Sequence, residues 1–521
     1  MLFTLPHIIQ NSARSFPEQD AFRCGRDSMS YGELDKKTDQ LASHLIMKGV
    51  RKGDRIGVYM ERCLETALAV YGIMKAGAVY VPLDPSAPHA RTRFLLADCG
   101  IKHVTTTAKQ RRKIKAILET ETNLESLIGI DADLTIPSVS WDVIFKIDLS
   151  TYQPVKIIES DLAYIMYTSG STGAPKGIMH THHSGLSYAK LSAQVYNITL
   201  TDRIANHAPL HFDISTFGYF SGPLAGATTV IIPDAHTKLP ASLSALMEQE
   251  KITIWYSVPL ALVQLLLNGV LDERDLSPLR WVLYGGENFV PKYMRELMGL
   301  WPSATFSNVY GPAEVNQCTY YHLNTPPETD EQIPIGKIWE NTTYKILGED
   351  NSPVPKGTSG ELLVRSATMM KGYWNNNVLT KKALYTEHIA PGVEHVFYRT
   401  GDLVKEDEQG NLIFLGRNDR QVKLRGYRVE LDEVEAVLGK HDSVEEAAVF
   451  ILENENNEKQ IAAAIIGTKE IEQSADHLIA FSKTYLPPYA IPNHIYFLQD
   501  FPRTSSGKVK RSEIVKSLIQ R

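Results

Sequence analysis

LDKKTDQLASHLIMKG (34–49), DRIGVYM (54–60), LETALAVYGIMKAG (64–77) and AVYVPLD (78–84) decide the fold class. In the first, Leu34, Leu41, Leu45 and Ile46 share one face at helical spacing, and Gly49 offers a residue able to close the helix in a left-handed conformation. The second reads as a buried strand, the third as another helix ending at Gly77, and the fourth as another strand. ARTRFLLADCG (90–100) and IKHVTTT (101–107) repeat the beat. So do ATTVIIP (227–233), ASLSALMEQE (241–250), ITIWYSV (252–258) and WVLYGGE (281–287). Strands alternating with helices of this length predict βαβ units and a mainly parallel sheet, so the fold class is α/β.

From about residue 340 the texture changes to short strand-like pieces, TYKILG, GELLVR and NLIFLG. A compact pattern then follows GRNDRQ (416–421). VKLRGYRVE reads as a strand pair, LDEVEAVLGKH as a helix, EEAAVFIL and QIAAAIIGT as strands, and DHLIAFSKTYL as a helix. Polar and charged residues at Arg417–Arg420 interrupt two apolar segments. This places a boundary between a domain over 1–417 and one over 418–521, the latter long enough to hold its own core.

Bulk properties narrow the function classes. The 521 residues are 43% hydrophobic and 22% charged, which excludes disorder, collagen-like repeats and disulfide scaffolds. The 54 basic and 60 acidic residues leave a net charge of −6, with no broad basic footprint for nucleic acid or an anionic membrane. The four cysteines, Cys24, Cys63, Cys99 and Cys318, are scattered without metal-finger spacing. No signal-peptide pattern opens the chain and no apolar run is long enough to span a bilayer. The expectation is a reduced, cytoplasmic protein without nucleic-acid or membrane partners.

YIMYTSGSTGAPKGIMHTHHS (164–184) carries the first chemistry. An apolar strand runs into a loop of glycines and hydroxyls, then Lys176. Glycines let backbone approach a phosphate closely, while hydroxyls and backbone N–H groups cradle its oxygens. A surface turn is the bland alternative; the preceding strand and the Pro-Lys-Gly that follows favour the phosphate. The spacing of Gly170, Gly173 and Lys176, with Gly177 after the lysine, is not that of a Walker A loop, which excludes a kinase-like or GTPase reading. His180, His182 and His183 lie nearby without a carboxylate or cysteine at metal-ligand spacing, so no metal is expected on them.

The stretch resembles the phosphate loop of the ANL superfamily of adenylate-forming enzymes: acyl-CoA synthetases, nonribosomal peptide adenylation domains and firefly-type luciferases. Four further motifs follow in family order, so the resemblance covers essentially the whole chain. NVYGPAE (308–314) is similar to the adenine and magnesium motif and YRTGDL (398–403) to the ribose motif. GRNDRQVKLRGYRVELDEVE (416–435) is similar to the hinge and PRTSSGKVKR (502–511) to the catalytic-lysine segment. The resemblance implies a large N-terminal adenylate-forming domain with mixed sheets and helices, plus a small mobile α+β C-terminal domain that turns about Asp419.

It also implies ATP and Mg²⁺ as cofactors. Thr168, Ser169, Gly170, Ser171, Thr172 and Lys176 would hold phosphates, with Gly286, Glu287 and Gly311 also at the nucleotide. Tyr310 would stack on adenine and Asn308 would bond its exocyclic amine. Asp402 would accept the ribose hydroxyls, with Arg417 close by; a turn aspartate beside Gly401 is its bland alternative. Glu314 would hold Mg²⁺, and Lys508 would be the catalytic lysine that bridges the attacking carboxylate and the α-phosphate. Ala313 departs from the threonine common there, which puts one phosphate contact in doubt.

The substrate follows by the same route. Asp213 in HAPLHFDISTFGYF (207–220) matches the aspartate that binds the α-ammonium in amino-acid-activating relatives; an N-cap on a helix at ISTFGYF is the alternative. The family's pocket positions are Asp213, Ile214, Phe217, Tyr256, Leu283, Gly285, Val309, Gln317 and Cys318, with Lys508 at the carboxylate. This small, partly aromatic lining resembles that of free-standing L-prolyl-AMP ligases, although Gln317 replaces the usual apolar residue. The implied activity is that of an amino-acid adenylating ligase. L-proline, or another small apolar amino acid, becomes an aminoacyl-AMP and then a thioester on the phosphopantetheine of a peptidyl carrier protein. With Arg521 soon after Lys508, the carrier is expected in trans. An acyl- or aryl-CoA synthetase and a non-enzymatic nucleotide-binding scaffold are the competing readings.

Overall fold

The computed structural model describes residues 2–170, 174–453, 458–467, 475–503 and 509–519. The chain forms two compact units. The first comprises 1–85, 96–167 and 177–418; the second comprises 86–95, 168–176 and 419–521.

The expected alternation is present in the first unit. Ser30 opens the helix Tyr31–Met47 with a capping box, accepting the Glu33 N–H at 3.3 Å while Glu33 reaches back to the Ser30 N–H at 3.0 Å. Gly49, at φ +83°, follows its end. Strand Arg55–Tyr59, helix Leu64–Lys75 and strand Val79–Pro82 come next. An eight-stranded sheet runs 372–373, 176–181, 162–168, 79–82, 55–59, 103–106, 126–128, 138–139. The pairings from Tyr80–Tyr164 out to 138–139 are parallel, while 372–373 joins antiparallel at its edge.

A nine-stranded sheet carries the second run of alternation. Strands 305–310, 281–285, 254–257, 203–206, 228–231 and 20–24 are parallel neighbours in that order, and 319–323 joins 305–310 antiparallel. The strand-like pieces after 340 form a five-stranded antiparallel sheet of 342–347, 360–366, 393–406, 384–390 and 412–417. The parallel expectation therefore holds for two sheets and stops where the texture of the sequence changes.

In the second unit, VKLRGYRVE forms the expected pair, Gln421–Leu424 with Tyr427–Glu430. Arg425 (φ +54°) and Gly426 (φ +82°) make the two-residue turn, whose two positive φ values match hairpin twist. Helices Leu431–Leu438 and Ala475–Tyr485 pack on a three-stranded sheet through Val434, Leu438, Val449, Ile461 and Leu478.

Close helix packing sets the first unit's core. Leu41 is fully buried, and a Cβ placed on Gly72 of helix Leu64–Lys75 would lie 2.6 Å from its Cδ2 and 2.9 Å from its Cβ. Gly72→Val should therefore overpack the contact and destabilise the unit by about 1–3 kcal/mol. Gly299, in helix Pro291–Leu300, has no atom within 4 Å of such a Cβ, and Gly299→Ala should stabilise by about 0.4–1 kcal/mol. Urea midpoints of the two variants moving in opposite directions from wild type would check both; a shared direction would refute the packing argument.

Candidate active site

Strand 305–310 positions the first group of residues. Asn308 is buried, and its Nδ2 donates to the Pro334 carbonyl at 2.8 Å. A carbonyl only accepts, so this bond fixes the amide orientation and leaves Oδ1 as its acceptor. Tyr310 ends the strand and donates its hydroxyl to Asp402 Oδ2, while Arg417 bonds Asp402 Oδ1. Burial, then the Asp402 carboxylate, pushes the Tyr310 hydroxyl well above its ordinary range.

Asp402 is not a turn residue. It lies within strand Val393–Glu406, directly opposite Arg417 of strand Leu412–Arg417. Register shifts flank this point, where Gly401 takes φ +72°, so a bulge aims Asp402 out of the ladder. Its side chain is 5% exposed. Each of its oxygens takes one protein donor and keeps lone-pair capacity for a further hydroxyl.

The turn after Tyr310 depends on Gly311, where a Cβ would sit 2.3 Å from the Asn316 carbonyl oxygen. Glu314 in this turn is fully buried, so it is not a solvated surface acid. Tyr373 donates its hydroxyl to Glu314 Oε1 at 2.7 Å, and the Met370 N–H donates to the Glu314 carbonyl at 2.7 Å. His180 Nε2 donates to the Ala313 carbonyl at 2.9 Å. Residue 313 thus contributes its backbone, where a threonine would have added a hydroxyl. Gly286 (φ +95°) and Glu287 follow strand Trp281–Gly285.

The proposed amino-acid residues meet on the other face of strand 305–310. Phe217, Tyr256, Leu283 and Val309 share one buried cluster with Tyr188, Tyr196 and Trp339, and Ile214 packs against it. Phe217 meets Tyr256 edge-on at 5.5 Å. Gly285 lies beside Val309 across the parallel strand pair. Gln317 is 2% exposed and reaches the Tyr256 hydroxyl through Nε2 at 3.5 Å; Cys318 is fully buried.

Asp213 does not cap a helix in the ordinary way. Its Oδ1 accepts the N–H of Ile214, the next residue, at 2.9 Å, and its backbone carbonyl takes the Thr216 N–H. ISTFGYF forms a short turn leading into a π-helix at Phe217–Ser221, a wider winding that recurs at functional sites. The carboxylate is half-buried. Burial first, with the Asp213 charge among the lesser causes, raises the hydroxyls of Tyr164, Tyr188 and Tyr256.

Thr168, Ser169, Gly170 and Lys176 fall in the second unit. Ser169 Oγ donates to the Arg428 carbonyl at 2.8 Å. The Thr168 Oγ1 is buried without a partner among the described residues. A Cβ on Gly170 would lie 2.0 Å from the Ala174 carbonyl oxygen, so a side chain at 170 would collide with that backbone. Asp419 Oδ1 accepts the Gln421 N–H at 3.1 Å. Ser171, Thr172 and Lys508 lie outside the described residues.

Two family models cover most of this chain: AMP-binding enzyme over 9–374 and AMP-binding enzyme C-terminal domain over 433–508. The chain belongs to the AMP-binding enzyme family. This AMP-binding enzyme is 30% identical to an L-proline--[L-prolyl-carrier protein] ligase of Pseudomonas fluorescens, over 98% of both chains. It is 33% identical to gramicidin S synthase 2 of Brevibacillus brevis, over 98% of this chain and 11% of that one. It thus spans only a small part of the large synthases it matches. The adenylation domain AlmE of Vibrio cholerae, solved with glycyl-adenosine-5'-phosphate, shares the fold at a TM-score of 0.84 and 23% identity, over 100% and 98% of the two chains. The architecture is that of adenylation domains: a large mixed α/β N-terminal domain and a small C-terminal one. Among the described residues no helix is long and apolar enough to cross a membrane.

Sequence reasoning missed Tyr373, which sits in KGYW (371–374) where no phosphate or metal pattern singles it out. Only the pairing of 372–373 with Met179 and Ile178 brings it to Glu314. The histidines also have structural partners: His180 holds Ala313, and His182 Nδ1 accepts the Leu5 N–H at 3.4 Å. Among the described residues no group of three or more His, Cys, Asp or Glu could hold a metal ion.

Burial lowers His44, His180 and His182 each to about 4 and His207 to about 3. The unfolded chain takes up these protons near 6.5 and the folded chain only near 4, or near 3 for His207. Stability is therefore complete above pH 6.5 and falls as pH drops toward 4, each histidine adding a slope of about 1.4 kcal/mol per pH unit. In urea titrations at pH 7.5, 6.0 and 5.0, His180→Phe should show a shallower fall than wild type. An unchanged slope would mean that His180 is not held neutral.

Proposed function

We propose that the chain activates a small amino acid as its adenylate and passes it to a carrier protein, with L-proline the lead substrate. The observation that carries this reading is the half-buried Asp213 carboxylate beside a buried cluster of Phe217, Tyr256 and Leu283. A carboxylate among aromatic rings suits a cationic ligand, and a substrate α-ammonium or ring ammonium is one. The Pseudomonas fluorescens ligase, matched from end to end, supports proline and the carrier thioester.

In the first half-reaction a substrate carboxylate oxygen attacks the α-phosphorus of ATP, and the bond to pyrophosphate breaks. Asn308 Oδ1 accepts the exocyclic amine of adenine, Tyr310 flanks the base, and Asp402 accepts ribose hydroxyls in its remaining lone-pair directions. Thr168 to Thr172 and Lys176 take the phosphates, with Gly286, Glu287 and Gly311 shaping the nucleotide site. Lys508 stabilises the charge that develops between carboxylate and α-phosphate. In the second half-reaction the pantetheine sulfur attacks the acyl carbon and AMP leaves.

Glu314 fits Mg²⁺: a buried carboxylate braced by Tyr373 is the hard oxygen donor of an ion that draws its other ligands from phosphates and water. When bound, that ion supplies charge neutralisation at the phosphates. The family's two-domain reading divides the chain at 417/418, with the C-terminal domain turning about Asp419 between half-reactions so that a separate carrier's pantetheine replaces Lys508 at the adenylate.

Pyrophosphate exchange over a panel of amino acids and carboxylic acids tests the proposal. Lys508→Ala should cut adenylate formation by roughly 10²–10³-fold, the scale of one preorganised charge stabiliser, while transfer from supplied aminoacyl-AMP suffers far less. Asp213→Ala should cost on the order of 3–5 kcal/mol with proline, or about 10²–10³-fold in kcat/KM. Tetrahydrofuran-2-carboxylate, with oxygen for the ring nitrogen, should lose much less. Equal losses for the two acids would move the reading to an acyl-CoA synthetase.

A further inference from the structure

Gln317 is the one lining residue that an apolar substrate leaves unexplained. It is 2% exposed and is joined to the aromatic cluster through Tyr256. Nε2 donates to the Tyr256 hydroxyl at 3.5 Å, and Oε1 is buried with no hydrogen-bond partner among the described residues. The Tyr196 hydroxyl lies within hydrogen-bonding reach of the same amide, whose N–H groups favour its ionised form, and it also bonds Ser307 Oγ at 3.5 Å.

A second unsatisfied atom belongs to the same cluster. Trp339 is 1% exposed and stacks on Tyr188 at 6.0 Å, yet its Nε1–H has no acceptor among the described residues. Its backbone N–H donates at 2.9 Å to the carbonyl of Cys318, the residue next to Gln317. One buried acceptor and one buried donor thus stand unpaired in one aromatic cluster. Buried polar groups almost always have partners, and each left alone costs free energy of the order of a lost hydrogen bond. A hydroxyl both donates and accepts, so it can answer either vacancy; an unsubstituted hydrocarbon side chain answers neither.

We propose that Gln317 and Trp339 read a hydroxyl group on the substrate, so that the amino acid activated by this chain bears a compact hydroxylated side chain. The inference rests on the amino-acid reading above and refines its proline lead. On the ring scaffold it points to 4-hydroxyproline over proline, and on open chains to serine or threonine over alanine or valine. Gln317 and Trp339 are specificity residues here and take no part in the bond-making steps.

Pyrophosphate exchange on matched pairs tests it: proline with cis- and trans-4-hydroxyproline, alanine with serine, valine with threonine, and phenylglycine with 4-hydroxyphenylglycine. In wild type the hydroxylated member of the best pair should lead by about 10–10²-fold in kcat/KM, the scale of leaving a buried donor or acceptor unpaired. Gln317→Leu and Trp339→Phe should each lower that ratio by about tenfold, with the KM for ATP unchanged. Trp339→Phe keeps an aromatic ring, so the test survives if Gln317→Leu does not fold. Equal or better use of the unhydroxylated member in every pair overturns the proposal and leaves a trapped water as the partner. A preference that survives both variants overturns it too. Exchange with carboxylic acids but with no amino acid overturns the amino-acid reading itself, and this inference with it.

Discussion

Two carboxylates, Glu314 and Asp402, sit almost wholly out of water, and much of the first unit is arranged around that cost. An ionised carboxylate in a protein interior is tolerated only when donors or cations meet it. Asp402 receives Tyr310 from one strand and Arg417 from the strand paired with its own. Glu314 receives Tyr373, delivered by the short edge strand on 176–181. The glycines that look like loose punctuation in the sequence serve the same end. Gly401 permits the bulge that turns Asp402 inward, and Gly311 permits the tight turn that buries Glu314.

Strand 305–310 links these carboxylates to the rest of the site. Strand side chains alternate faces, so Ser307 and Val309 look one way and Asn308 and Tyr310 the other. One face joins the aromatic cluster of Phe217, Tyr256 and Leu283, and the other presents an amide and a phenol beside Asp402. A slip of one residue in its pairing with 281–285 or 319–323 would exchange the two sets. Register is therefore as much a functional constraint here as any side chain, and the fully buried neighbours Phe306 and Val282 on the opposite core hold it.

The alternating helices and strands of 34–107 and 227–287 were legible because each is short, apolar and punctuated by glycine, and local physics decides such elements. Gly49, Gly77 and the Arg425–Gly426 turn lie where helix ends and hairpins require positive φ. Legibility failed where the decisive partner is distant in sequence. Tyr373 and Glu314 are 59 residues apart and Tyr310 and Asp402 are 92 apart, so no window shows either pair. The segment ISTFGYF carries helical spacing, and nothing local announces that it winds as a π-helix. Asp402 reads as a turn residue because Gly401 precedes it; the strand pairing that overrides this comes from 360–366 and 412–417.

The polar groups that the proposed site uses on the two faces of strand 305–310 are held in different ways. On the Asn308–Tyr310 face the anchoring bonds exist without any ligand: Pro334 holds the amide, Tyr310 and Arg417 hold Asp402. Groups fixed in this way would need no reorganisation on binding the nucleotide of the proposed function, and that is how preorganised polar sites gain their effect. On the other face Gln317 Oε1 and Trp339 Nε1 are buried and unpaired among the described residues. Such atoms weaken the empty fold slightly and reward only a ligand that supplies the missing partners. Under the proposed function, the bonded groups beside Asp402 would hold the nucleotide, while Gln317 and Trp339 would select the substrate side chain.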